Sequence, residues 1–148
     1  MSPSSVKTPT TRLGDWHANL YLWRPQLIHC MNDRSTLSVL LAAKDSASFP
    51  VRLRVALSRL LLRLGAPRNA VEAEVAAMEE FSLAPTNSRS ILGCMTDASF
   101  ALQYAIESGK FHSLEDLEMY LTRHIHEPTG HIPPGELAVE LLAKAGHA

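Results

Sequence analysis

The chain has 148 residues, 46% of them hydrophobic and 20% charged, with a formal net charge of -1 at pH 7. That length suits one domain burying about two-thirds of its unfolded surface, and the near-zero charge excludes general attraction to nucleic acid or anionic membranes. No apolar run reaches the roughly 18 residues of a membrane span and no basic-then-apolar leader opens the chain, so a cytoplasmic protein without a membrane partner is expected.

Residues 1–11 are dominated by Ser, Thr, Pro and Lys, a composition that buries little apolar area, and are expected to form a disordered tail before a single domain over 12–148. Trp16 to Trp23 alternates, with Trp16, Ala18, Leu20 and Leu22 on one side and His17, Asn19, Tyr21 and Trp23 on the other. This predicts a strand. Arg24-Pro25-Gln26 turns the chain, Leu27 to Asn32 runs back, and Thr36 to Leu41 alternates again with Leu37, Val39 and Leu41 on one face. The expected fold is α+β: a three-stranded antiparallel meander near the N-terminus covered by four to five helices.

The helices follow in order. A Ser46 or Ser48 cap with Phe49 and Pro50 opens a strongly apolar helix to about Leu64, the expected central core helix, with Arg52, Arg59 and Arg63 sharing a face. The next, from about Pro67 or Asn69 to Glu80, turns Val71, Val75 and Met78 inward and Glu72, Glu74, Glu79 and Glu80 outward, so the two helices are expected to pair by charge. The arginine stripe reads as a solvated, locally neutralised face, with nucleic acid as a secondary partner that steep salt dependence would reveal. Phe81 to Ala84 is an extended linker or a fourth strand. Ser113-Leu-Glu-Asp116 is a capping box for a helix carrying Leu114, Leu117, Leu121 and Ile125, and Gly135 to Ala145 closes the chain as a short helix.

The longest helix begins after Pro85, where Thr86, Asn87 and Ser88 can all cap a first turn. It carries Ile91, Met95, Ala98, Leu102 and Ala105 or Ile106 inward and ends at Gly109. Arg89 falls in the first turn, where the helix dipole disfavours a cation, so something negative is expected nearby. Asn87, Ser88, Arg89 and Ser90 could converge on an anion, or Arg89 could pair with a protein carboxylate, for which Asp15 and Asp97 are the nearest candidates. Trp16, Tyr21, Trp23 and Arg24 concentrate aromatics on one hairpin, residue types enriched at partner surfaces.

His124, His126 and His131 lie within eight residues, but the spacing matches no zinc motif, and exposed histidines on a Pro-rich loop are the expectation. Cys30 and Cys94 each sit in an apolar pattern without a close partner and are expected to be reduced, buried thiols. No nucleophile elbow, phosphate-binding loop or H-E-x-x-H is present. No catalytic residue, metal or cofactor is therefore expected.

Gly14-Asp15-Trp16-x-Ala18-x-Leu20, Asn32-Asp33-Arg34 with Thr36-Leu37, and Thr86-x-x-Arg89-Ser90-x-Leu92-Gly93-x-Met95-x-Asp97 together resemble an uncharacterised family of small bacterial proteins classed as a domain of unknown function. The resemblance covers Leu13 to Phe100. Ser88 and Thr96 stand where the family pattern has Asn, and Ser35 is an extra residue. The resemblance implies a bacterial or mobile-element origin and carries no activity. The function expected is a non-catalytic interaction or regulatory protein that recognises a protein partner, with self-association as a further expectation. Its binding residues would be Asn87, Ser88, Arg89, Ser90, Asp97, Trp16, Tyr21, Trp23 and Arg24. The rival is a phosphoester-acting enzyme with Arg89 as anion anchor and Asp15, His17 or Asp97 as acid or base.

Overall fold

The computed structural model describes residues 3–23, 26–43, 48–126, 130 and 132–145. Five strands and five helices follow the order β1 (Ser4–Lys7), β2 (Trp16–Tyr21), β3 (Leu27–Asn32), β4 (Ser38–Ala42), α1 (Phe49–Arg63), α2 (Arg68–Ala77), β5 (Ser82–Pro85), α3 (Arg89–Ser108), α4 (Leu114–Leu121) and α5 (Pro134–Ala145). The strands form one antiparallel sheet of order β4-β3-β2-β1-β5.

The α+β class, the antiparallel meander of β2, β3 and β4 and the helical cover match the sequence expectation, but the sheet has five strands rather than three. The two added strands are β1, drawn from the stretch expected to be disordered, and β5, one of the two readings of Phe81 to Ala84. β1 is hydrogen-bonded on both edges, with Val6 opposite Trp16 on one side and Leu83 on the other. Partners on both sides, and the burial of Val6 and Ser5, hold a segment whose composition alone gives little strand preference. The threonines beyond it wind the connection: the Thr8 backbone N–H donates to Asp15 Oδ1 at 2.9 Å, and the Thr8 and Thr11 hydroxyls donate to the Gly14 carbonyl at 2.6 and 3.1 Å.

Helices cover both faces of the sheet. On one face Trp16, Cys30, Val39 and Leu41 pack with Leu53, Leu57, Leu60 and Leu61 of α1, Val71 of α2 and Leu142 of α5. On the other, Tyr21, Met31 and Leu40 pack with Ile91, Met95, Ala98 and Leu102 of α3 and with Leu117 and Leu121 of α4. Helix packing over the sheet therefore accounts for most of the aromatics of the hairpin, with Trp23 half-buried. Trp16 is fully buried, and Tyr21, stacked on Trp23 at 4.3 Å, is 8% exposed.

Two glutamates are buried, one of them against the sequence reading. Glu74, expected on the outer face of α2, accepts the backbone N–H groups of Arg12 and Leu13 at 2.8 and 3.1 Å, tying α2 to the β1–β2 connection. Glu118 of α4 accepts the N–H of Leu40 at 2.8 Å and so satisfies a donor on the edge strand β4. The arginine stripe makes no ion pair with α2 among the described residues: Arg54, outside the stripe, stands 3.8 Å from Glu79 just past the end of α2, and Arg52 donates to the Ala42 carbonyl. Both cysteines are free and buried, and among the described residues no helix is long and apolar enough to cross a membrane.

Candidate functional site

α3 starts and ends where the sequence places it. The Ser88 side chain accepts from the Ile91 N–H at 3.3 Å, and Gly109 closes the helix in the left-handed region at φ 69°. Asn87, Arg89 and Ser90 are exposed around this start, and Arg89 takes part in none of the ion pairs among the described residues. Neither expected partner reaches it. Asp15 accepts from Thr8, and Asp97 faces two histidines. At 3.6 residues per turn, Arg89, Gly93, Phe100, Tyr104 and Glu107 fall within about 60° of one another along the side of α3 that faces away from the sheet. Phe100 is 66% and Tyr104 69% exposed, and the Arg89 and Glu107 at the ends of the stripe are exposed too. Sequence reading passed over these two aromatics, although their i, i+4 spacing on the face opposite Ala98 and Leu102 was the available signal.

The second constellation is Asp97 with His124 and His126. α4 ends at Leu121, so both histidines lie in non-helical chain and turn onto the same carboxylate. His124 Nε2 is 2.9 Å and His126 Nδ1 3.2 Å from Asp97 Oδ2, and the two rings meet edge to face with centroids 5.1 Å apart. Asp97 is 58% exposed at its side chain and His126 4%. The expectation of exposed histidines is corrected for these two, and His131 lies outside the described residues. Burial, and then the neighbouring His124, lower the pKa of His126 against the opposing pull of Asp97. Beside His124 opens a groove of about 610 Å³ lined by Lys110, Phe111, Tyr120 and Arg123.

The remaining candidates separate. His17 is buried, 3.1 Å from Thr86 Oγ1 and 3.3 Å from Asp33 Oδ1. Arg24 lies outside the described residues. A second groove, of about 400 Å³, is lined by Arg59 and Arg63 of α1, both exposed, and by Glu115, Asp116 and Glu118 of α4, so this part of the arginine stripe is solvated with carboxylates nearby. Neither groove includes Arg89.

A family model described as a domain of unknown function (DUF6933) matches residues 1–137. The chain belongs to this family. No curated protein and no solved structure matches it. The DUF6933 match is wider than the stretch that carried the resemblance. It takes in β1 and the start of α5 and includes the whole outer stripe of α3 together with Asp97, His124 and His126.

The geometry also gives structural work to residues of the resembling motifs in this DUF6933 chain. Asn32 Nδ2 donates to the Leu13 and Asp15 carbonyls at 2.9 and 3.2 Å, while its Oδ1 accepts from the Ser35 N–H and hydroxyl at 2.9 and 2.7 Å. Gly14 has φ 77°, and a Cβ there would stand 2.9 Å from Arg34 Nε, whose Nη1 donates to the Arg12 carbonyl at 2.8 Å. Gly14, Asp15, Asn32 and Arg34 thus build one corner where the β1–β2 connection meets the β3–β4 turn. Asp97 is different, because its carboxylate is half in solvent and faces imidazoles.

Proposed function

We propose that this DUF6933 chain is a non-catalytic interaction module, a regulatory protein of a bacterial or mobile-element system working in the cytoplasm. Its binding surface is the outer face of α3, and the partner this face fits is a second copy of the chain. The bacterial setting rests on the resemblance in the Gly14-Asp15-Trp16 and Arg89-Ser90 stretches. The cytoplasmic setting rests on two free, buried cysteines.

The observation that carries the reading is the self-complementarity of the stripe. Two copies of α3 laid antiparallel about a two-fold axis at the level of Ala98 bring Arg89 opposite Glu107 of the second copy. The same operation sets Thr96 against Phe100 and brings Gly93 within one residue, about 1.5 Å, of the level of Tyr104, small against large in both directions. Gly93 also lacks a reason within its own chain. It lies inside a helix, where glycine costs about 0.5–1 kcal/mol relative to alanine, yet a Cβ there would meet nothing within 4 Å. Room left for an incoming aromatic ring accounts for it.

The rival phosphoester reading needs Arg89 beside an acid or base. Asp97 is about 12 Å further along the helix and engaged by His124 and His126, while Asp15 and His17 are held by their own partners. A single pair of helices gives an interface near the low end of the stable range, so a micromolar dimer is expected.

Sedimentation equilibrium over a range of concentrations tests this. Arg89→Glu and Glu107→Arg should each weaken the dimer about fivefold or more, and the double swap should restore it. Gly93→Gln should leave the melting temperature of the monomer unchanged or raised, yet abolish association. A monomer at every concentration, or a dimer indifferent to all four variants, would overturn the proposal.

A further inference from the structure

We propose that Asp97, His124 and His126 form a binding site for a divalent transition-metal ion of the zinc type. The three side chains come from two separate parts of the chain, the middle of α3 and the segment after α4, 27 residues apart between Asp97 and His124. Their candidate ligand atoms all lie within 4.8 Å of one another. In a tetrahedral zinc site with metal–ligand distances of about 2.0–2.1 Å, neighbouring ligand atoms stand about 3.3 Å apart. The carboxylate oxygen of Asp97 is 2.9 Å from one imidazole nitrogen and 3.2 Å from the other, so it already has nearly that spacing to both. An ion would replace the two hydrogen bonds after small side-chain movements.

The donor set selects the class of ion. Two imidazole nitrogens and one carboxylate oxygen suit Zn²⁺ and Co²⁺, whereas Mg²⁺ and Ca²⁺ take oxygen ligands. Burial gives the site one fixed wall and one open side. His126, 4% exposed, is anchored in the protein, while His124 at 29% and Asp97 at 58% leave a route from solvent and a fourth position for water. α4 ends before His124, so His124 and His126 stand on non-helical chain, where both rings reach one carboxylate although their spacing matches no zinc motif.

Bound metal would clip α3 to the chain beyond α4, so occupancy should register as stability. With untagged, metal-stripped protein, Zn²⁺ at a hundredfold excess over its dissociation constant should raise the melting temperature by about 5–10 °C. Calorimetry should find one ion per chain at this site, and Co²⁺ should give the visible ligand-field absorption of a four-coordinate ion. Asp97→Asn and His124→Gln, both at partly exposed positions, should each weaken binding at least tenfold while circular dichroism shows the fold retained. His126→Gln is a poorer test because its buried site could collapse. His112→Gln, at an exposed histidine outside the cluster, should change nothing. Absence of both the thermal shift and the Co²⁺ spectrum would overturn the site, as would binding that survives Asp97→Asn and His124→Gln unchanged.

Discussion

Replacing Asn32 with alanine is expected to cost about 3–5 kcal/mol of stability, because three buried groups lose their partner at once and each unsatisfied group costs about 1–3 kcal/mol. These are the Ser35 N–H, the Ser35 hydroxyl donor and the Leu13 carbonyl. The Asp15 carbonyl is less affected, since it also accepts from the Asp33 N–H at 2.9 Å. The loss would extend beyond hydrogen bonds. Thr36 sits at φ 59°, an unfavourable conformation for a β-branched residue, and the turn that holds it is the one Asn32 organises through Ser35. Asn32→Asp is the discriminating control. It keeps an acceptor for Ser35 but removes the donor and sets a negative charge against two carbonyl oxygens, so it should not rescue. Urea unfolding of the two variants measures both effects, and a loss below about 1 kcal/mol in either would mean that water or a rearranged loop replaces the side chain.

That corner shows why some of the structure is legible in the sequence and some is not. The start of α3 at Ser88, the start of α4 at Ser113 and the end of α3 at Gly109 depend on groups one turn away, and local chemistry places them correctly. The meander is equally local, because strand alternation and turn residues sit side by side. β1 is not, since its pairing with β5 joins Ser5 to Ala84 and nothing in a Ser/Thr-rich segment announces so distant a partner. Glu74 misleads, and Glu118 goes unread, for a related reason. On a helix read alone they belong to the polar face, and only the tertiary fold brings backbone N–H groups from residues 61 and 78 positions away to receive them. Among the candidate site residues, Arg89 and Asp97 were noticed for their place on one helix. The reading failed where it joined them, because the histidines that face Asp97 come from beyond α4.

Glu118 and His29 should together shape the pH profile of stability. Burial pushes the Glu118 carboxyl up to about 7, with the Leu40 N–H pulling the other way. Burial, and then His126, pushes His29 down to about 3, which leaves a neutral ring 2.9 Å from the Tyr21 hydroxyl and 2.7 Å from Ser38 Oγ. A histidine with a lowered folded pKa contributes stability that is present above its unfolded value of about 6.5 and lost as pH falls towards 3. A carboxyl with a raised folded pKa acts in the opposite sense, losing stability as pH rises from about 4.5 to 7. Between pH 4.5 and 6.5 the two slopes oppose each other, so the profile should be nearly flat there, falling steeply below it and declining slightly above. The raised carboxyl of Glu74 and the lowered imidazole of His126 lean in the same opposed directions. Glu118→Gln exposes the balance, because its amide oxygen can still accept from Leu40 while the titration is gone. The variant should gain on the order of 3 kcal/mol over wild type at pH 8, and its stability should now climb with pH through the window where the wild type is level. Parallel profiles for the two proteins between pH 4 and 8 would show that Glu118 titrates at an ordinary value and that the N–H of Leu40 outweighs its burial.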